Sequence, residues 1–145
     1  MKIDNSILFA QVCEMLDEGK DVVIEAKGCS MLPFIVGDRD SVMLRKCAWG
    51  EGDAVLFRLP GQRYVLHRVV SVDGDMVIMK GDGNLSGTEV CRKSDVLGKV
   101  VRVLKKGTRE TDVLSEGYRR RVRRWNSLPY MVRRVFLGIY RRIVL

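Results

Sequence analysis

Histidine is almost missing from this chain: His67 is the only one in 145 residues. The four cysteines, Cys13, Cys29, Cys47 and Cys91, have no CxxC spacing and share that single imidazole. A zinc site is therefore not expected, and nothing in the composition calls for a metal or a cofactor. Scattered thiols in a chain of this size fit a reducing compartment better than a disulfide framework. No segment approaches the roughly 18 uninterrupted apolar residues of a membrane-crossing helix. The N-terminus lacks a basic stretch followed by an apolar one, so no secretory signal is read. The expected location is the cytoplasm. Acids are also missing from one long stretch. Residues 118–145 hold nine arginines and no Asp or Glu. The preceding 117 residues carry 17 bases against all 18 acids, a net of −1, so the overall +8 belongs to the tail.

What is present reads as one compact unit with a basic extension. Hydrophobic content of 46% and charged content of 30% are those of an ordinary globular domain. Ile7 or Leu8, Val12, Met15 and Leu16 recur at helical spacing, with Asp4 to Ser6 placed to cap and Gly19 to end the helix. From Asp21 the pattern changes to short β-type runs: Val22–Ala26, Ser41–Leu44, Ala54–Phe57, Tyr64–Val72, Met76–Lys80 and Val96–Leu104. The Asp73–Asp75 stretch joins two of them as a tight hairpin. No repeat or low-complexity segment interrupts the series. The expected fold is mainly β (α+β), a curved antiparallel sheet with an N-terminal helix and a basic C-terminal amphipathic helix. The expected division is 1–107 for the domain and 108–145 for the tail.

Ser30 stands out in "KGCSMLPFIVGD", a hydroxyl at a bend set by Gly28 and Pro33 amid apolar residues. A serine attacks poorly unless a base takes its proton, and histidine is the usual base near neutral pH. His67 lies inside a strand, in "YVLHRVV", where a β-branched residue would pack better. "MKGDGN" then delivers Asp82 in a turn whose flanking Gly81 and Gly83 would let another backbone approach closely. Each residue has an ordinary explanation: a turn serine, a strand histidine, an Asp in a glycine-rich turn. Together they are also the ingredients of a nucleophile, a base and a residue orienting the base.

In order and spacing, "GCSMLPFIVGD", "GDAVLFR", "VLHRVV", "KGDGN" and "VLGKVVRV" resemble the successive boxes of the signal peptidase I superfamily, which includes the self-cleaving repressor peptidases. The resemblance runs from about Gly28 to Val103. It implies a signal-peptidase-like β fold and a serine endopeptidase activity. Ser30 matches the nucleophile. His67 stands where many members have lysine and where the archaeal and endoplasmic-reticulum type has histidine. Asp82 matches the acidic residue of that second type. By this resemblance His67 deprotonates Ser30, Asp82 orients the imidazole, and the Ser30 backbone N–H serves the oxyanion. Lys80 does not match the lysine position and ranks behind His67 as a base. Gly28 stands where signal peptidases commonly carry a hydroxyl, a departure shared with the repressor-like members. Met31, Leu32 and Phe34 would wall a substrate pocket, with ordinary core packing as the alternative. Cys29 reads as a small turn residue rather than a reactive thiol.

Signal peptidases of this type usually carry a membrane anchor, and the repressor relatives a DNA-binding helix-turn-helix. About 20 residues precede the first strand, too few for the latter. The expectation is a stand-alone peptidase acting on a peptide or protein precursor. The rival is a non-catalytic, peptidase-like binding module. For the tail, Leu128, Val132, Val135, Phe136, Ile139 and Ile143 line one face of a helix beginning near Ser127. That stripe packs on the body, or it lies on a membrane surface with Arg119–Arg142, placing the chain at the inner face of the membrane. Nucleic-acid binding ranks last, because charge without a recognised module is non-specific.

Overall fold

A computed structural model of the chain describes residues 2–3, 6–28, 30–61, 63–84, 87–105 and 110–144. Among the described residues, nine strands form one antiparallel sheet, curved and not closed. They are β1 (Lys2–Ile3), β2 (Val22–Glu25), β3 (Asp40–Arg45), β4 (Ala54–Leu59), β5 (Arg63–Asp73), β6 (Met76–Lys80), β7 (Glu89–Arg92), β8 (Val96–Lys105) and β9 (Glu110–Asp112). The order across the sheet is β2-β3-β8-β4-β5-β6-β7, with β1 on β5 and β9 on β8. Helix α1 (Ser6–Asp17) precedes β2, and α2 (Glu116–Ser127) and α3 (Tyr130–Val144) end the chain.

The six strands expected from the sequence are all present, each within two residues of its expected ends. The hairpin at Asp73–Asp75 forms as well: Asp73 pairs with Met76, and Gly74 takes a φ of 58°. Helix α1 ends as expected at Gly19, whose φ is 83° and whose N–H donates to the Leu16 carbonyl. Asp4 and Asn5, expected to cap α1, and Cys29 in the serine turn lie outside the described residues.

The middle strands are buried on both faces, which is why β4 reads as the nearly continuous apolar run "AVLFRL". Ala54 and Leu56 face a core formed with Phe9, Val12 and Leu16 of α1 and with Leu44, Leu66 and Val100. Val55 and Phe57 face a second core with Val65, Val69, Val77 and Met79. This strand alternation later decides where His67 points.

The C-terminal segment departs from expectation in three ways. First, it adds a strand to the sheet: β9 pairs with β8, and Tyr118, Val122, Trp125 and Leu137 are buried. The expected boundary at 107/108 itself falls outside the described residues. Second, there are two helices, because the "RRRVRR" block lies within α2. Ser115 caps it by accepting the Tyr118 N–H, and the buried residues Tyr118, Val122 and Trp125 recur at helical spacing. Third, α3 turns Leu137 and the half-buried Arg133 and Tyr140 inward. The expected apolar stripe therefore does not pack on the body. Met131, Val132, Val135, Phe136, Ile139 and Ile143 are exposed by 46% to 78%.

Candidate active site

Ser30 opens a turn running to Val36 between β2 and β3. The base of the turn is pinned by close backbone approach. Gly28 takes a φ of 79°, and a Cβ on Gly37 would lie only 2.0 Å from the Gly28 carbonyl oxygen. Ala26 and Asp38 close the neck, since the Asp38 N–H donates to the Ala26 carbonyl at 2.7 Å and the Ala26 N–H to that of Asp40 at 2.9 Å. Inside, the Phe34 and Ile35 amides both donate to the Met31 carbonyl. Buried Asp40 accepts the Val36 N–H at 2.8 Å and an Arg39 Nε–H at 2.8 Å. Asp40 was not singled out from the sequence, although an acid three residues beyond a glycine is a common way to satisfy loop amides.

This turn is fastened to the Asp82 turn that follows β6. The Gly83 N–H donates to the Ser30 carbonyl at 2.8 Å. A Cβ on Gly81 would sit 2.3 Å from that same oxygen, so only glycine allows the approach. The close passage expected at these glycines is met at Gly81, and the element that approaches is the serine turn.

Asp82 faces Arg68. The Arg68 Nε–H donates to Asp82 Oδ1 at 2.8 Å and an Nη2–H to Oδ2 at 2.7 Å, while Nη1–H reaches the Gly52 carbonyl at 2.8 Å. Both side chains are buried, Arg68 exposed by 5% and Asp82 by 2%. Burial works against the guanidinium charge, but the Asp82 carboxylate more than offsets it, and the Arg68 pKa is raised. Phe34 and Tyr118 flank the guanidinium, 5.7 and 6.0 Å from its carbon to their ring centres. The Trp125 indole N–H donates to the Asp82 carbonyl at 2.9 Å.

The expected orienting bond from Asp82 to His67 is therefore not formed. Its physical reason is the strand period: adjacent residues of β5 point to opposite faces, and Asp82 meets Arg68, the neighbour of His67. His67, exposed by 3%, turns into the second core, its ring 6.0 Å from that of Phe57. Its Nδ1 has no hydrogen-bond partner, and the Glu89 Oε1 lies 3.8 Å away. Burial lowers its pKa to about 3, so the imidazole is neutral at pH 7. Among the described residues no hydrogen bond or ion pair joins His67 to Ser30 or to Asp82.

The expected substrate wall is also corrected. Met31 packs in the first core, and Leu32 packs with Val36, Trp125 and Leu137 beneath the C-terminal helices. Phe34 is half-buried with its ring edge-on to Tyr118, 5.6 Å between centres. Core packing is the role of Met31 and Leu32; neither side chain can line an open groove. Lys80 lies opposite Arg68 in the β5–β6 register. Arg68, Tyr118 and Trp125 are the residues the sequence reading missed. The signals were an arginine beside the histidine and a Tyr–Val–Trp helical spacing inside the arginine block.

No protein-family model matches the chain, and no curated protein matches it.

Proposed function

We propose that the chain is a serine endopeptidase acting on a peptide or protein precursor, with Ser30 as nucleophile and His67 as base. The observation that carries this reading is the fixed, partly exposed serine turn, held by its own carbonyl against a second glycine turn. Such fixing is what a nucleophile needs, because misplacement by an ångström is costly to catalysis. His67 is neutral at pH 7 and its Nδ1 awaits a partner, so it is in the form that accepts a proton. Among the described residues no hydrogen bond joins Ser30 to His67, so this reading requires substrate binding to bring the hydroxyl and the imidazole together. The Ser30 N–H serves the oxyanion. Asp82 acts here as a positioning residue, holding Arg68 and, through Gly83, the serine turn. The ordered boxes that resemble the signal peptidase I superfamily support the same residues.

A fluorophosphonate probe tests this. Labelling of the protein should disappear in Ser30→Ala and fall sharply in His67→Gln, while both variants unfold cooperatively. Labelling that survives Ser30→Ala would return the chain to the rival class of a peptidase-like binding module.

The exposed face of α3 favours one addition, a position at the inner face of the cytoplasmic membrane. Six large apolar side chains face outward on one helix, and α2 and α3 carry nine arginines, of which Arg119 and Arg120 meet Asp53 and Glu116. An anionic bilayer complements both features, whereas a second copy of the chain would bring arginine against arginine. Flotation with anionic vesicles should retain the protein, neutral vesicles should retain much less, and Ile139→Asp with Ile143→Asp should release it. Equal retention by both vesicle types would remove this reading.

A further inference from the structure

A cavity of ≈ 570 Å³ lies where the α2–α3 junction rests on β5 and β6. Its cationic lining is Arg68, Lys80, Arg123 and Arg133; its acids are Glu51 and Asp82, and Val69, Val70 and Val122 supply apolar wall. Arg68 and Asp82 neutralise one another through their paired hydrogen bonds. Lys80 aside, Arg123 and Arg133 face the single remaining acid Glu51, so the cavity is electropositive. Arg133 marks it as a site rather than a gap. It lies four residues before Leu137 on the inward side of α3, and its Nε is buried without a hydrogen-bond partner. Buried guanidinium nitrogens are almost always satisfied, so an orphan donor on an arginine of the cavity lining marks a place for an acceptor.

We propose that this cavity binds an acidic side chain of a peptide, with Arg133 and Arg123 as the carboxylate's partners. A guanidinium matches a carboxylate in plane and charge. The valine wall fits the methylene stem of glutamate or aspartate. Glu51 at the same lining opposes a dianion more strongly than a monoanion, which favours carboxylate over phosphate. The volume is in the range of small-ligand sites and holds a side chain with its flanking backbone. Because Lys80 and Asp82 belong to the neighbourhood of the serine turn, the bound residue is read as a specificity element of the precursor. That assignment rests on the peptidase reading; the binding itself does not.

The experiment uses full-length Ser30→Ala protein, so no cleavage intervenes. A short blocked, fluorescent peptide with one glutamate is compared with its glutamine twin by anisotropy, and Arg Nε–H resonances are followed by NMR. The glutamate peptide should bind at least about tenfold more tightly, the worth of one charge-assisted hydrogen bond. It should also shift the Arg133 Nε–H signal, and Arg133→Ala or Arg123→Ala should erase the preference without changing thermal unfolding. Arg123 is exposed, so its replacement remains informative should Arg133→Ala disturb the helix. Equal binding of the twins overturns the proposal. So does a larger shift of that resonance by inorganic phosphate or by anionic vesicles than by the glutamate peptide. Preferential glutamate binding in a protein whose Ser30 never labels would leave the cavity standing and remove the peptidase reading alone.

Discussion

Replacing Asp82 by alanine should lower the free energy of unfolding by about 3–5 kcal/mol, read from urea denaturation at pH 7. The loss comes from Arg68. Its guanidinium is buried, cannot shed its proton, and donates two of its hydrogen bonds to Asp82. Removing the carboxylate leaves that charge without compensation between Phe34 and Tyr118. Asp82→Asn keeps an acceptor and should fall between the two. Replacing both partners together, as in Arg68→Met with Asp82→Leu, should recover much of the loss, because a buried pair contributes little over well-packed apolar side chains. The result separates two roles for Asp82. A residue that only oriented His67 would leave stability nearly unchanged and lower activity alone. A cost below about 1 kcal/mol, the scale of an exposed pair, would show that Asp82 does not hold this part of the fold.

The consequence reaches the serine. Asp82 lies between Gly81, which abuts the Ser30 carbonyl, and Gly83, which donates to it. Trp125 bonds the Asp82 carbonyl, and Tyr140 places its hydroxyl 3.4 Å from the Pro33 carbonyl. The C-terminal helices thus clamp both turns from outside, while the Arg68–Asp82 pair holds them from below. The arginine-rich segment that charge alone marks as a solvated tail is also part of the frame that fixes Ser30.

The sheet was legible because its strands announce themselves twice, by β-branched composition and by the turn residues between them. Met76–Lys80 lies at its expected bounds, since Gly74 and Gly81 punctuate it on both sides. The short strands β7 and β9 were not legible. Glu89–Arg92 alternates only weakly, and Glu110–Asp112 is polar throughout, held by its pairing with Arg102–Leu104. Pairing of that kind is a tertiary fact with no local signature. The direction of α3 shows the same limit. Its apolar stripe was visible at helical spacing, but spacing does not say which side meets the body. Leu137 and Tyr140 made that choice through contacts with Leu32, Val36 and Pro33. At the site, period-two alternation alone separates His67 from Arg68. Asp82 had a cationic candidate one residue from its expected partner, and electrostatics favours the full charge of arginine over a neutral imidazole.

His67 carries the second large expectation, in stability as a function of pH. Burial holds its folded-state pKa near 3, while the unfolded chain titrates near the ordinary 6.5. Between those values the unfolded state binds one more proton than the native state, so stability rises with pH across that window. The contribution is complete above pH 6.5 and is lost as pH falls from there toward 3. The slope is about 1.4 kcal/mol per pH unit, or about 2 kcal/mol between pH 7 and pH 5. Carboxylates titrate at the lower end, so the informative quantity is the difference between the parent and His67→Gln, measured by denaturation at each pH. That difference should narrow or reverse as the solution is acidified, because glutamine has no proton to gain. A difference that stays constant from pH 7.5 to pH 5 would mean that His67 is not held neutral by burial. The same desolvation sets a condition on catalysis. On the proposed peptidase reading, an imidazole with so low a pKa accepts a proton reluctantly, and substrate binding would have to raise its basicity. Closing the 3.8 Å gap to Glu89 would do so by giving the orphan Nδ1 a carboxylate partner. The glutamate is partly exposed and free of the Arg68 pair, which makes it better placed than Asp82 to steady the imidazolium.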